Sequence, residues 1–245
     1  VIDIQIDAWR AWAPGIDADA AWRDWASAPR ALIDSGQQPS CAFIPAMQRR
    51  RLSRLARITM DVAWPLCADD EQLPFVFASR HGETPRTFAL LEDIGRDQPL
   101  SPTQFGLSVH NAIAGQWSIL RGQKGESVAL AGEGDTFEHA MLEAAALLHE
   151  GAPSALVVMA EEQPAEALRS WIDDVPFSYA VALRVSLPDA SSSATRWRLS
   201  LHANDADARP GAWPNALDFL RALHDPHAPV QHAWRSRQWK WHRLP

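Results

Sequence analysis

The residues best placed for chemistry are the run Gly132-Glu133-Gly134-Asp135. It separates an apolar stretch, 127–131, from a helical pattern that opens at Thr136. A strand that ends in a glycine-containing turn and launches a helix is where α/β proteins expose a nucleophile or cradle a phosphate. This turn offers no Ser, Cys or Lys, and its two acids would repel a phosphate. The nine histidines show no metal-ligand spacing. His110 and His139 read as single residues on helices. His224 and His227 flank Asp225, but Pro226 breaks the helix that would aim them together, so no metal centre is expected. Cys41 and Cys67 are too few for a disulfide framework or a metal quartet. The remaining concentration of charge is basic: Arg49, Arg50, Arg51, Arg54 and Arg57, with no acid among them.

The 245 residues carry a net charge of −7, are 47% hydrophobic and hold 12 Trp against a single Tyr. Of 23 basic residues only Lys124 and Lys240 are lysines. The acidic balance excludes non-specific nucleic-acid binding, which needs a basic face. No apolar stretch approaches the ~20 residues of a membrane span, and no export signal is read at the start, so a cytoplasmic protein is expected.

The elements that would hold the turn follow from periodicity. Residues 1–6 alternate as a short strand, and 9–36 read as a helix or an irregular excursion. Residues 47–60 read as one helix whose apolar side is Met47, Leu52, Leu55 and Ile58. Phe75-Val76-Phe77-Ala78-Ser79 has the unbroken apolar character of a buried parallel strand. Thr84-Pro85 and Ser101-Pro102 each place a hydroxyl N-cap before a first-turn proline. The second of these helices is expected to run through Phe105, Val109, Ala112, Ile113 and Trp117. Residues 127–131 read as a buried strand, and Asp135-Thr136-Phe137-Glu138 as a capping box. Phe137, Met141, Ala145 and Leu148 then face a core, Gly151 ends the helix, and 155–160 form the next strand. Strand–helix–strand–helix–strand order implies crossovers onto a mostly parallel sheet. Residues 179–187 and 196–203 read as an antiparallel hairpin, 213–223 as a short helix, and 232–245 as an edge strand.

From Ser101 to Glu162 the order of motifs resembles the nucleophile region of β-ketoacyl synthases, of the thiolase-like fold. The matching pieces are Leu100-Ser101-Pro102, Asn111-Ala112-Ile113-Ala114-Gly115, Ile119-Leu120-Arg121-Gly122-Gln123-Lys124-Gly125 and Ser127-Val128-Ala129-Leu130-Ala131. A helix, Gly151 and a strand ending at Glu161 complete it. The resemblance implies an α/β fold: a single thiolase-like half with a mixed, mostly parallel five-stranded sheet and flanking helices. Residues 1–245 would form one domain, with a hairpin and helix extension over about 190–245.

The departures from the family carry the functional expectation. Aligning the strands puts Gly134 where condensing enzymes have their catalytic Cys, and a glycine cannot form an acyl thioester. The family's second half and its two histidines have no counterpart. The resemblance therefore implies a catalytically silent chain-length factor, similar to the small ones of aryl-polyene pathways, with a ketosynthase partner and no cofactor. On that reading Gln104, Phe105, Ser108, Asn111 and Ala112 would shape the partner's acyl tunnel. Ser127, Val128, Ala129 and Leu130 would form the subunit interface. Arg49, Arg50, Arg51 and Arg54, or the basic tail Arg235, Arg237, Lys240 and Arg243, would receive an acyl carrier protein. Two alternatives stand beside it: an acyl-thioester transferase using Glu133 or Asp135 with a nearby histidine, and a homodimeric acyl-chain-binding protein.

Overall fold

The computed structural model describes residues 1–204, 211–225, 228 and 230–245. Pro226 and His227, half of the sequence's only histidine pair of interest, lie outside them. The chain opens with β1 (Ile2–Trp12), which is far longer than the six-residue strand expected, and continues into α1 (Asp19–Ser27). Both tryptophans of α1, Trp22 and Trp25, are buried, and their indole N–H groups donate to the carbonyls of Ala11 (3.0 Å) and Arg30 (2.8 Å).

The single basic helix expected over 47–60 is two: α2 (Ala46–Arg49) and α3 (Arg54–Ala63). Ser53 divides them. Its hydroxyl accepts from the Ala56 N–H at 3.0 Å, a helix N-cap that periodicity alone overlooked. Next come β2 (Phe75–Ala78) and α4 (Thr84–Gly95). The long helix expected after Ser101 is likewise interrupted, into α5 (Pro102–Gly106), capped by Ser101, and α6 (Ala112–Arg121). The turn between them takes His110 off any helix and sets its Nε2 2.7 Å from the Ser79 carbonyl.

β3 (Ser127–Leu130) leads through the glycine turn to α7 (Thr136–His149), and β4 (Ala155–Glu161) follows. The anticipated capping box is not made, because no side chain caps α7. The remaining elements are β5 (Tyr179–Ser186), β6 (Thr195–Ala203), α8 (Asn215–His224), β7 (Val230–Trp234) and β8 (Arg237–Leu244).

Among the described residues eight strands form one sheet in the order β3-β2-β4-β5-β1-β6-β8-β7, three more strands than expected. β2 lies parallel to β3 and β4, β5 is antiparallel to β4 and β1, and the added strands are antiparallel throughout. The predicted hairpin of residues 179–187 and 196–203 does not form. β1 inserts between them, pairing Trp9 with Leu183 on one side and Ile4 with Trp197 on the other. Alternation identifies a strand but not its neighbour, so a chain-terminal strand can take a place that local reading assigns to a turn partner. The tail is a hairpin: β8 lies inside the sheet and only β7 is at its edge.

Alternate residues of the central strands feed two cores. Val76, Val157 and Met159 face α7, α8 and the tryptophans of α1; Phe75, Phe77 and Val158 face α3 and α6. Part of the tryptophan excess packs the added strands, where Trp197, Trp239 and Trp241 are buried. Phe219 of α8 sits between Trp197 and Trp241, with ring centroids 5.0 and 4.5 Å away. β3 differs from the buried strand expected: it is the sheet's other edge, with Ser127 exposed and the next three residues half-buried.

Candidate functional site

The glycine turn joins an edge strand to a buried helix and is covered by the C-terminal hairpin. Within it, Thr136 Oγ1 donates to the Glu133 carbonyl at 2.7 Å and accepts from the Gly132 N–H at 3.1 Å. A Cβ on Gly134 would stand 2.5 Å from Cζ3 and 2.7 Å from Cδ2 of the Trp234 indole. Real carbon contacts do not approach so closely, so any side chain at 134 would have to displace the ring. Trp234 is held by its own N–H, which donates to Glu133 Oε2 at 2.8 Å. Arg80 stacks on the indole at 4.9 Å.

Neither acid of the turn is a free catalytic carboxylate. Glu133 pairs with Arg235 (2.7 Å) and Arg237 (3.0 Å). Asp135, fully buried, accepts two hydrogen bonds from Arg237 (2.6 and 3.0 Å) and one from the Trp239 indole (2.8 Å). Burial disfavours the Asp135 charge, but these partners outweigh it and hold the carboxyl below its ordinary pKa. The next acid, Glu138, is buried against His232 Nδ1 and accepts from Asn215 Nδ2 at 2.8 Å. Asn215 also donates to the Gly134 carbonyl at 3.2 Å. The local sequence gives no sign of these ties, since each of these hydrogen-bond partners lies at least 77 residues away; only His139, 3.4 Å from Asp135, is a neighbour in the chain.

A cavity of about 400 Å³ adjoins the turn at the C-terminal ends of β2 and β4, walled by Trp213, Trp234, Tyr179 and Met159. Glu161 lies at its base. Burial raises this carboxyl to about 7, although Ser79 Oγ (3.0 Å) and the backbone N–H groups of Arg80 and His81 donate to it. Beside it Asp174 pairs with Arg80 (2.7 Å) and His81 (2.8 Å). The sequence reading named Glu161 only as a strand end and passed over Arg80, His81 and Asp174. The signal was the polar run Ser79-Arg80-His81-Gly82-Glu83 directly after a fully apolar strand.

The other residues singled out lie at the surface. Gln104 and Asn111 are exposed, Ser108 and Ala112 half-buried, and Phe105 is 62% exposed, so Phe105 is not a core side chain. α6 packs along β3, which brings Ala112 to the same side of the molecule as the edge strand. The arginines divide into two kinds. Arg54 is a structural group, bidentate to Asp34 and hydrogen-bonded to Ser178, and Arg49 donates to the carbonyls of Cys41 and Ile44. Arg50 and Arg51 are exposed and, with Arg86, line a cleft of about 390 Å³. Both thiols are suppressed by burial, Cys41 to about 12 and Cys67 to about 11. Among the described residues no group of three His, Cys, Asp or Glu could hold a metal ion, and no helix is long and apolar enough to cross a membrane.

The profile of the beta-ketoacyl synthase N-terminal domain matches residues 22–242. The chain belongs to that family. The match reaches well beyond the sixty residues whose motifs carried the resemblance, and it takes in the C-terminal extension. This ketosynthase-family chain is similar, at 25% identity and a TM-score of 0.85, to a chain of the ketosynthase ApeO in complex with its chain length factor ApeC from Xenorhabdus doucetiae. The alignment covers 99% of this chain and 100% of that one. It also resembles the ishigamide ketosynthase/chain length factor (17% identity, TM-score 0.61, covering 83% of this chain and 68% of that one). A beta-ketoacyl synthase from Burkholderia phymatum is similar in fold (12% identity, TM-score 0.64, covering 91% and 70%). No curated protein matches the sequence.

Proposed function

We propose that this ketosynthase-family chain is a non-condensing chain-length factor. It pairs in the cytoplasm with an active ketosynthase and shapes that enzyme's acyl tunnel during polyketide or aryl-polyene synthesis. The observation that carries the reading is the nucleophile turn: Gly134 offers no thiol, and Trp234 occupies the space a thiol would need. An acyl group can neither be attached nor accommodated at that position.

The surface supports a partner. β3 leaves one row of backbone groups unpaired at the sheet edge, an arrangement that favours pairing with another chain. Phe105, Val109 and Ile119, on or beside α5 and α6, are exposed. Gln104, Phe105, Ser108, Asn111 and Ala112 then face the partner's tunnel, and Arg50 and Arg51 form the part of the basic cluster available to an acidic carrier protein.

Use of Glu133 or Asp135 in a transferase of its own is disfavoured, because both carboxylates are committed to Arg237. Co-expression with an active ketosynthase tests the proposal. A stable one-to-one complex whose product length depends on this chain is expected. A self-contained homodimer that ignores the ketosynthase, or turnover of acyl thioesters by this chain alone, would overturn it.

A further inference from the structure

The cavity of about 400 Å³ beside the glycine turn carries more acid than its bases offset. Among the described residues four carboxylates line it: Glu133, Glu161, Asp173 and Asp174. Glu133 pairs with Arg235 and Arg237, and Asp174 with Arg80 and His81. Glu161 at the base and Asp173, exposed at the rim, have no ion pair among the described residues. The three donors to Glu161 are all neutral: the Ser79 hydroxyl and the backbone N–H groups of Arg80 and His81. Arg80 is the only cation among the described lining residues. It is already committed, to Asp174 at 2.7 Å and to the face of Trp234 at 4.9 Å.

Glu161 and Tyr179 are register partners on β4 and β5, so their side chains stand together on one face of the sheet. Tyr179 is 2% exposed, and its hydroxyl has no hydrogen-bond partner among the described residues. A buried hydroxyl left unsatisfied is costly, and this residue lines the cavity. Burial, and after it the Glu161 charge, raises the phenol well above its ordinary pKa, so the oxygen stays protonated and keeps its lone pairs. On Glu161, Ser79 and His81 donate to Oε2 and Arg80 to Oε1, which leaves Oε1 an open acceptor site. Trp213, steadied by Trp25 at 5.3 Å, adds an aromatic wall beside the Tyr179 ring.

From this arrangement we infer that the cavity binds a primary organic ammonium ion carried on an apolar body. Its N–H groups donate to Glu161 Oε1 and the Tyr179 oxygen, and the aromatic walls attract its charge. A carboxylate would meet Glu161 and Asp173 and be repelled. The volume falls in the usual ligand-pocket range of roughly 300–1,000 Å³, enough for a ring and its amine. The site uses no residue of α5, α6 or β3, so it stands independently of the chain-length-factor reading.

The probes are benzylammonium, benzyl alcohol and benzoate, which share one ring and differ in charge. Titrated calorimetrically into the full chain at about pH 8, benzylammonium should bind about tenfold more tightly than benzyl alcohol, and benzoate not detectably. Burial raises the Glu161 carboxyl to about 7, among the neighbours His81, Arg80, Asp174 and Tyr179, with Glu138 of α7 also near Tyr179. Binding a cation selects the ionised carboxylate. Affinity should therefore rise about tenfold from about pH 6 to about pH 8, and at the lower pH a proton should pass to the buffer on binding. Glu161→Gln should abolish both the pH dependence and the preference for the amine. Tyr179→Phe, which keeps the ring, should weaken benzylammonium about fivefold and serves as the second reading if the first variant folds poorly. Preference for benzoate, equal binding of amine and alcohol, or no proton release at the lower pH would overturn the inference, whatever the outcome of pairing with a ketosynthase.

Discussion

Trp234 stands against Gly134 so closely that the two positions cannot both carry side chains, although 100 residues of chain separate them. The indole is fixed by Glu133, the neighbour of the glycine it covers, and the hairpin bearing it is fixed by Arg237 to Asp135. The turn and the hairpin therefore define one another. Residue 134 carries no side chain, and the fold leaves no room for one there.

Restoring the thiol should accordingly be costly and fruitless. Gly134→Cys is expected to lose about 1–3 kcal/mol in urea denaturation through overpacking. Combined with Trp234→Ala, the loss should be clearly smaller than the sum of the two single changes. Cys41 and Cys67 are pushed to about 12 and about 11, so iodoacetamide at neutral pH reports the introduced thiol. It should react in the double variant and stay protected in the single one. Neither variant should condense acyl groups.

Arg237 is the clasp of the hairpin. Arg237→Met leaves Asp135 buried with only Trp239 and the more distant His139, at 3.4 Å. A stability loss of about 2–4 kcal/mol is expected, with faster hydrogen exchange in β7 and β8. Arg237→Met with Asp135→Asn should lose less, because no uncompensated charge remains.

The stability of the protein should fall between about pH 4.5 and 7. Glu161 in the unfolded chain releases its proton near 4.5, whereas burial holds the native group to about 7. Over that interval the native state binds the extra proton, so rising pH favours unfolding, by up to about 3 kcal/mol for this group. Glu162, also raised to about 7, adds in the same direction. Asp34, Asp135 and Asp174 are shifted downward and act in the opposite sense, at lower pH. Glu161→Gln should remove roughly half of the fall measured by denaturation at each pH.

Phe105 is exposed, so changing it separates function from folding. Phe105→Ala and Phe105→Trp should each leave stability within about 0.5 kcal/mol. Product length in the ketosynthase complex should shift in opposite directions for the two. Unchanged lengths would remove α5 from the tunnel.

Arg50→Glu with Arg51→Glu should slow turnover of carrier-bound substrate by about tenfold at low salt, with less effect at high salt. Small free thioesters should be processed at the unaltered rate. An equal loss on both substrates would assign these arginines to assembly rather than docking.

The strand–helix alternation of residues 75–161 was legible in the sequence, because each element has its own apolar periodicity and end signals. That residues 132–135 hold no thiol, hydroxyl or amine was legible too, since it is a matter of composition. The helix breaks at Ser53 and after Gly106 were missed, as was the turn holding His110, because a cap or a side-chain bond can end a helix whose apolar pattern continues. The cluster of Glu161, Arg80, His81 and Asp174 was hidden for a different reason. Its members are conventional charged residues until two parallel strands bring their ends together.

By itself, then, the sequence determined the strand–helix order of residues 75–161 and that no thioester can form at residue 134. Only the tertiary structure decided that β1 separates β5 from β6, that three further strands extend the sheet, and that Trp234 closes over Gly134. Local periodicity is set by burial of one face and is written in neighbouring residues. Strand order and the pairing of Arg237 with Asp135 depend on contacts 102 residues apart, and these form only when the whole sheet is assembled.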